Sequence, residues 1–84
     1  MEKCIITFRS VTPAQRGEGV LKRHGIECSL RRTPRKMEEQ GCGYCLQVAC
    51  SWVPEAVQLL QMAQIPFRKL YLIYPGGQTE ELQL

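Results

Sequence analysis

The sequence lacks any apolar run close to the roughly 20 residues that a membrane-spanning helix needs. The first residues, Met1-Glu2-Lys3-Cys4, lead straight into a strand-like segment without the layout of an export signal. Histidine occurs only once, and no second Cys-x-x-Cys pair is present. We therefore expect a cytoplasmic protein that does not contact a membrane and that holds neither a metal nor another cofactor.

Neither sign of charge dominates the composition. Eleven Lys and Arg residues stand against eight Asp and Glu residues, which gives a net charge of +3. That excess is too small to predict nucleic-acid binding across the whole surface. The 84 residues are enough for one domain, which has no room for a deep cavity. Any chemistry is expected at the surface or against a second chain, which favours an accessory protein over an enzyme.

Hydrophobic periodicity predicts the order strand, helix, strand, strand, helix, strand. The strands are expected at residues 4–8, 26–31, 44–50 and 67–74, and the helices at 12–24 and from 54 to before Pro66. Thr12 is predicted to cap the first helix, and the segments Gly25-Ile26 and Gln64-Ile65 to end the two helices. A doubled strand–helix–strand unit predicts an α+β, ferredoxin-like βαββαβ sandwich, with a four-stranded antiparallel sheet and both helices on one face.

The single domain is predicted to span residues 1–75, with residues 76–84 as a frayed C-terminal tail. Gly76-Gly77 is interpreted as a turn, because seven residues follow it and it cannot serve as a C-terminal diglycine. The apolar strand 70–74 could lie at an edge of the sheet and pair with another copy, which would give a homodimer.

Five cysteines are present, and an odd number without an export signal predicts reduced thiols rather than a disulfide framework. Cys4 and Cys28 lie in apolar strand patterns, where free cysteine commonly serves as a small core residue. Cys42 differs, because it stands between Gly41 and Gly43 and follows a loop with four basic residues. Glycine neighbours leave a thiol open to another protein, and nearby cations favour its reactive thiolate form.

Three interpretations of the segment Gly41-Cys42-Gly43-Tyr44-Cys45 remain open. Cys42 could be a small residue in a glycine turn beside a solvated loop. Cys42 and Cys45 could form a redox pair, although such pairs usually open a helix and a strand is predicted here. The pair could also contribute to a zinc site, with further ligands drawn from Cys4, Cys28, Cys50 or His24.

Several short motifs together resemble one family. They are Ile6-Thr7-Phe8 with Ser10, the helix with Ala14, Glu18, Leu21 and Gly25-Ile26, the triplet Thr33-Pro34-Arg35, and Cys42-Gly43. The chain resembles, over residues 4–73, the small bacterial domains described as selenium/sulfur carrier-like proteins. The resemblance implies that Cys42 carries a persulfide or selenide and that Thr33, Pro34 and Arg35 form the loop beside it. The segment before Cys42 is longer and less serine-rich than in that family, and Cys45 is not part of its motif.

The leading functional hypothesis is a carrier that receives sulfur or selenium on Cys42 and passes it to a partner protein. The donor would be a cysteine desulfurase-like protein, and Cys45 could resolve the persulfide as a second thiol. Six residues are expected to bind or present the cargo: Arg32, Thr33, Pro34, Arg35, Gly41 and Gly43. The alternative is a non-catalytic interaction or regulatory module of the same fold, which could bind a metal through its cysteines.

Overall fold

The computed structural model describes residues 3–33 and 43–82 as an α+β arrangement. In chain order the elements are β1 Lys3–Phe8, α1 Val11–Arg23, β2 Cys28–Arg32, β3 Tyr44–Ala49, a 3₁₀ turn Cys50–Trp52, α2 Val53–Met62, β4 Leu70–Ile73 and β5 Thr79–Leu82. The prediction of two helices and an antiparallel sheet is confirmed. The sheet has five strands rather than the four predicted, in the order β2-β3-β1-β4-β5, and every neighbouring pair is antiparallel.

One hydrophobic core lies between the two helices and one face of the sheet. Alternate residues of the strands point into it, as the twofold period of a strand requires. Its fully buried members are Ile6, Phe8, Ala14, Leu21, Ile26, Leu46, Ala56 and Leu60. Gly17 allows the close approach of α1, because a Cβ at that position would lie 3.0 Å from Leu60 Cδ2. The core therefore fixes β1 and β3, the central strands, beneath the helices.

Both helices end in the same hydrogen-bonded motif, at the positions that the sequence predicts. After α1, the Ile26 N–H donates to the Leu21 carbonyl at 2.9 Å, and Gly25 takes a positive φ of 80°. After α2, the Ile65 N–H donates to the Leu60 carbonyl at 2.9 Å. Such a left-handed residue followed by an apolar contact is the Schellman ending. The two strand–helix–strand halves of the chain therefore share the same helix ending.

The N-terminus of α1 differs from the prediction. The helix begins at Val11, and Ser10 occupies the cap position with no side-chain hydrogen bond to the helix. Thr12 therefore lies inside the first turn and does not cap it. The longer helix has 13 residues, and among the described residues no helix has both the length and the apolar character needed to cross a bilayer.

The predicted frayed tail contains a strand. Gly76-Gly77 forms the expected turn, in which the Gly77 N–H donates to the Tyr74 carbonyl at 2.9 Å. Residues 79–82 then pair with β4 as β5, and Lys69 Nζ lies 3.6 Å from Glu81 Oε1. Because β5 occupies the outer side of β4, the apolar strand 70–73 is not an edge and has no free side on which a second copy could pair.

Candidate functional site

The loop end of the β2–β3 hairpin brings together the described residues of the predicted site. The Thr33 N–H donates to the Gly43 carbonyl at 3.0 Å, so this pair closes the ladder between the two strands. Arg32 directly precedes Thr33, and Cys45 stands two residues after Gly43. The remaining predicted residues, Pro34, Arg35, Gly41 and Cys42, lie outside the described residues. Chain connectivity alone fixes Cys42 next to Gly43.

Cys45 is a buried thiol, only 2% exposed, on the face of the sheet opposite the helices. Burial raises its pKa, while the neighbouring Thr33 hydroxyl and the Arg31 guanidinium act in the opposite direction and only partly offset that rise. The contact with Thr33 does not have hydrogen-bond geometry, so the buried Thr33 Oγ1 has no partner among the described residues. A buried hydroxyl without a hydrogen-bond partner is uncommon and costs about 1–3 kcal/mol.

Arginines flank the hairpin end on both faces of the sheet. Arg31 lies opposite Cys45 in the register, and Arg32 lies opposite Tyr44. The Arg32 guanidinium carbon stands 5.7 Å from the centre of the Tyr44 ring, within the range of a cation–π contact. This contact holds one cation beside the residues that lead to Cys42. Both arginines are exposed and can also meet an anionic group from solvent.

Thr7 is the neighbour of Cys45 on the adjacent strand β1. Its side chain lies opposite Cys45 in the β1–β3 register and is 3% exposed. The Thr7 hydroxyl accepts the Lys69 N–H at 3.0 Å and donates to the Lys69 carbonyl at 3.3 Å. The Arg68 N–H also donates to the Thr7 carbonyl at 2.7 Å. The segment before β4 is thereby tied to β1 next to the buried thiol.

The expectation that all cysteines are reduced is wrong for two of them. Cys4 and Cys50 form a disulfide, with Cα atoms 5.1 Å apart and a sequence separation of 46. Cys4 lies in β1 opposite Val48, and the 3₁₀ turn after β3 folds Cys50 back toward it. The alternating pattern of apolar residues predicts a strand up to Cys50, so it did not indicate the bend after Ala49. Both cysteines are therefore unavailable as zinc ligands.

Cys28 behaves as the predicted core residue. It is 9% exposed, and its thiol donates a weak hydrogen bond to the Glu18 carbonyl at 3.9 Å. Burial raises its pKa, and the Glu18 carboxylate adds to the rise. Within residues 3–33 and 43–82, no group of three or more His, Cys, Asp or Glu side chains is arranged to hold a metal ion.

A groove at the end of the sheet where β2 begins and β3 ends was not anticipated from the sequence. It has a volume of about 1020 Å³, and Lys3, Lys22, Arg31 and Trp52 are among the residues that line it. Trp52 is 42% exposed. A lone tryptophan two residues before Pro54, at the start of a predicted helix, was the available signal, but periodicity assigns such a residue to neither face.

Residues 3–72 match a family model with the description "Putative Se/S carrier protein-like". No curated protein and no solved structure matches the chain. The matched range begins with β1, ends within β4 and leaves β5 outside. It includes the hairpin end and Cys42. Because the match covers most of the 84 residues, the chain belongs to this Se/S carrier-like family.

Proposed function

We propose that the protein carries sulfur or selenium on Cys42 and transfers it to a partner protein. The observation that carries this proposal is the state of the other four cysteines. Cys4 and Cys50 are joined to each other, and Cys28 and Cys45 are buried with raised thiol pKa values. Thiolate attack needs an accessible sulfur that ionises readily. The remaining cysteine, Cys42, stands between two glycines in sequence, and the family match includes it.

The transfer conserves atoms and electrons. The Cys42 thiolate attacks the outer sulfur of a persulfide on the donor, a new S–S bond forms on Cys42, and the donor cysteine leaves as a thiolate. Attack by an acceptor thiolate on the outer sulfur of Cys42 then regenerates the Cys42 thiolate. No external oxidant is needed. The donor is of the cysteine desulfurase class, and a selenium donor would act by the same exchange.

The hairpin end supports this chemistry electrostatically. Arg31 and Arg32 place two cations on opposite faces of β2, close in sequence to the predicted cargo loop with Pro34 and Arg35. A cation near a surface thiolate contributes up to about 4 kcal/mol at 4 Å, and one pKa unit corresponds to about 1.4 kcal/mol. One such contact is therefore enough to favour the anion near neutral pH. Thr33, with its unsatisfied hydroxyl, offers a further donor for an anionic cargo.

Cys45 retains the proposed role of a resolving thiol, with a constraint. Its sulfur is buried and its pKa is raised, so the hairpin end must open before the Cys45 thiolate can attack the inner sulfur of a Cys42 persulfide. That attack forms a Cys42–Cys45 disulfide and releases the outer sulfur as hydrosulfide. Resolution would then be slow, and the persulfide would persist long enough to be transferred.

We also infer that β1 to β4 and the two helices form a ferredoxin-like sandwich, since the order β2-β3-β1-β4 suits that topology, with β5 added at its edge.

The test is sulfur loading followed by intact mass. The protein is incubated with a cysteine desulfurase and cysteine, separated, and weighed without reductant. The expected result is an added mass of one sulfur atom on the wild type and on Cys28→Ala, and no addition on Cys42→Ser. Equal loading of Cys42→Ser, or no loading of the wild type, would refute the carrier proposal.

The variant Cys45→Ala separates the two thiols. Loading should proceed as in the wild type, because Cys45 does not receive the cargo. The persulfide should decay more slowly than in the wild type, because the resolving thiol is gone. An unchanged decay rate would remove the resolving role and leave the carrier role intact.

A further inference from the structure

β2 is an edge strand whose outward backbone groups have no partner among the described residues. Because the Thr33 N–H donates to Gly43, residues 29, 31 and 33 direct their backbone groups toward β3. The alternation of an antiparallel ladder then turns the N–H and C=O groups of Cys28, Leu30 and Arg32 away from the sheet. β2 therefore offers three residues to which another strand can add.

The groove at the start of β2, which Cys28, Ser29 and Arg31 line together with residues of β1 and β3, has side chains that can select such a strand. Arg31 and Lys3 line it from the face opposite the helices, and Lys22 lines it from α1. Glu27 is the one acidic residue in its lining. Lys22 also contacts Glu18 at 3.3 Å but remains more than half exposed. The groove that adjoins the start of β2 therefore has an excess of positive charge.

Trp52 gives the groove one large apolar surface. Its side chain is 42% exposed. The residues on either side are held inside, since Cys50 forms a disulfide with the buried Cys4 and Val53 is itself buried. Exposed tryptophan is enriched where partners bind, because it buries much apolar area with few rotatable bonds. An extended segment along β2 would present alternate side chains to the cations and to this ring.

A second copy of the chain fits this edge poorly through its own β2. Antiparallel pairing of two β2 strands about Leu30 would gather Arg31 and Arg32 of both copies in one short ladder, and β2 has no acidic residue to offset their charge. We propose instead that β2 and its groove bind an extended acidic segment of a partner protein, which adds as a sixth strand and packs an apolar side chain on Trp52. This inference does not depend on Cys42 or on the carrier role.

The test uses a short capped peptide in which glutamate and valine alternate around one phenylalanine. Trp52 is the only tryptophan in the sequence, so its fluorescence reports occupancy of the groove directly. We expect a saturable change that weakens as salt concentration rises. The amides of Cys28, Leu30 and Arg32 should become protected from hydrogen exchange, while those of Ser29 and Arg31, already within the ladder, should change little.

Three controls make the result decisive. Arg31→Glu should weaken binding by about tenfold, whereas Arg16→Glu, which reverses an exposed charge on α1 outside the groove, should leave it unchanged. A peptide with lysine for glutamate, and one with a central proline, should not bind, since they lack the charge and the strand hydrogen bonds respectively. Equal binding of the lysine peptide, no signal up to about 1 mM peptide, or protection elsewhere would overturn the proposal.

Association of the protein with itself is also distinguishable. If the chain alone sediments as an oligomer with the same three amides protected, the occupant is a second copy and the proposed acidic partner is wrong. Sulfur loading is measured without the peptide. Failure of peptide binding therefore leaves the carrier test untouched, and failure of loading leaves the peptide result to stand alone.

Discussion

Thr7 lies in β1 and Thr33 directly follows β2, and their hydroxyls have opposite hydrogen-bonding environments. Thr7 satisfies both backbone groups of Lys69, whereas the buried Thr33 Oγ1 has no partner among the described residues. Thr7→Val should lower the free energy of unfolding by about 1–3 kcal/mol, because it leaves the Lys69 N–H unsatisfied. Thr33→Val should be neutral or stabilising, because it removes an unsatisfied group without changing shape.

Urea denaturation of the two variants gives the comparison directly. Valine is the same size as threonine and favours strands equally well, so each variant serves as the control of the other. A loss in Thr33→Val as large as that in Thr7→Val would show that the Thr33 hydroxyl is engaged. If Thr33→Val is stable but loads sulfur more slowly, the hydroxyl serves the cargo rather than the fold.

The buried thiols predict how stability changes in alkaline solution. Burial raises the pKa of both Cys28 and Cys45 in the folded protein. Their contribution is therefore fully present below the pKa of an unfolded thiol, about 8.5, and is lost as pH rises through the folded pKa. The free energy of unfolding should fall above that pH, and it should fall less steeply in Cys28→Ala and in Cys45→Ala. Ser29→Ala, which removes no ionisable group, should retain the wild-type slope. A slope unaffected by removal of either thiol would contradict the assigned burial.

At the scale of elements, the two helix endings differ in one residue type. Gly25 and Gln64 both have positive φ, 80° and 58°, a region that favours glycine. Gln64→Gly should raise the free energy of unfolding by about 0.5–1 kcal/mol, after the entropy cost of glycine is deducted. Gly25→Gln should lower it by a similar amount, since no atom lies within 4 Å of a Cβ placed there and only the backbone conformation is at stake. Thermal unfolding of both variants tests this, and shifts of the same sign would be inconsistent with it.

The sequence was sufficient to predict the elements that bury an apolar face. β1, β3 and the two helices follow the expected periods because the core selects them, and the endings at Gly25 and Gln64 are local motifs that sequence specifies. β5 escaped prediction for the opposite reason. Its residues Thr-Glu-Glu-Leu are mostly exposed and bury only Leu82 in part, so it forms by hydrogen bonding to β4 rather than by a hydrophobic pattern.

The candidate site shows the same division. Arg32, Thr33, Gly43 and Cys45 were predicted as site residues, and the register brings them together because strands β2 and β3 pair through a hairpin. The Cys4–Cys50 disulfide was missed because it depends on a bend after β3 that no periodicity marks. The groove at Trp52 was missed because its lining comes from β1, α1, β2, β3 and the 3₁₀ turn, and only the tertiary fold joins them.

At the scale of the molecule, the two edges of the sheet carry opposite charge. β2 exposes Arg31 and Arg32, while β5 exposes Glu80 and Glu81. Charged residues on edge strands discourage unwanted pairing. β5 lies beyond the family-matched residues 3–72. Its position suggests that it protects the apolar strand β4.

Removal of β5 tests that role. A chain that ends at Tyr74 should retain its helices by circular dichroism and should associate as concentration rises, because β4, with the sequence Leu-Tyr-Leu-Ile, becomes an apolar edge. Sedimentation velocity over a range of concentrations measures the association. Ile73→Lys in the shortened chain should reverse it, because a charge at the new edge opposes pairing, whereas Met62→Lys, at a position 73% exposed on α2, should not. A shortened chain that is folded and monomeric at every concentration would mean that β4 needs no cover, and that β5 serves another purpose than protection of the edge.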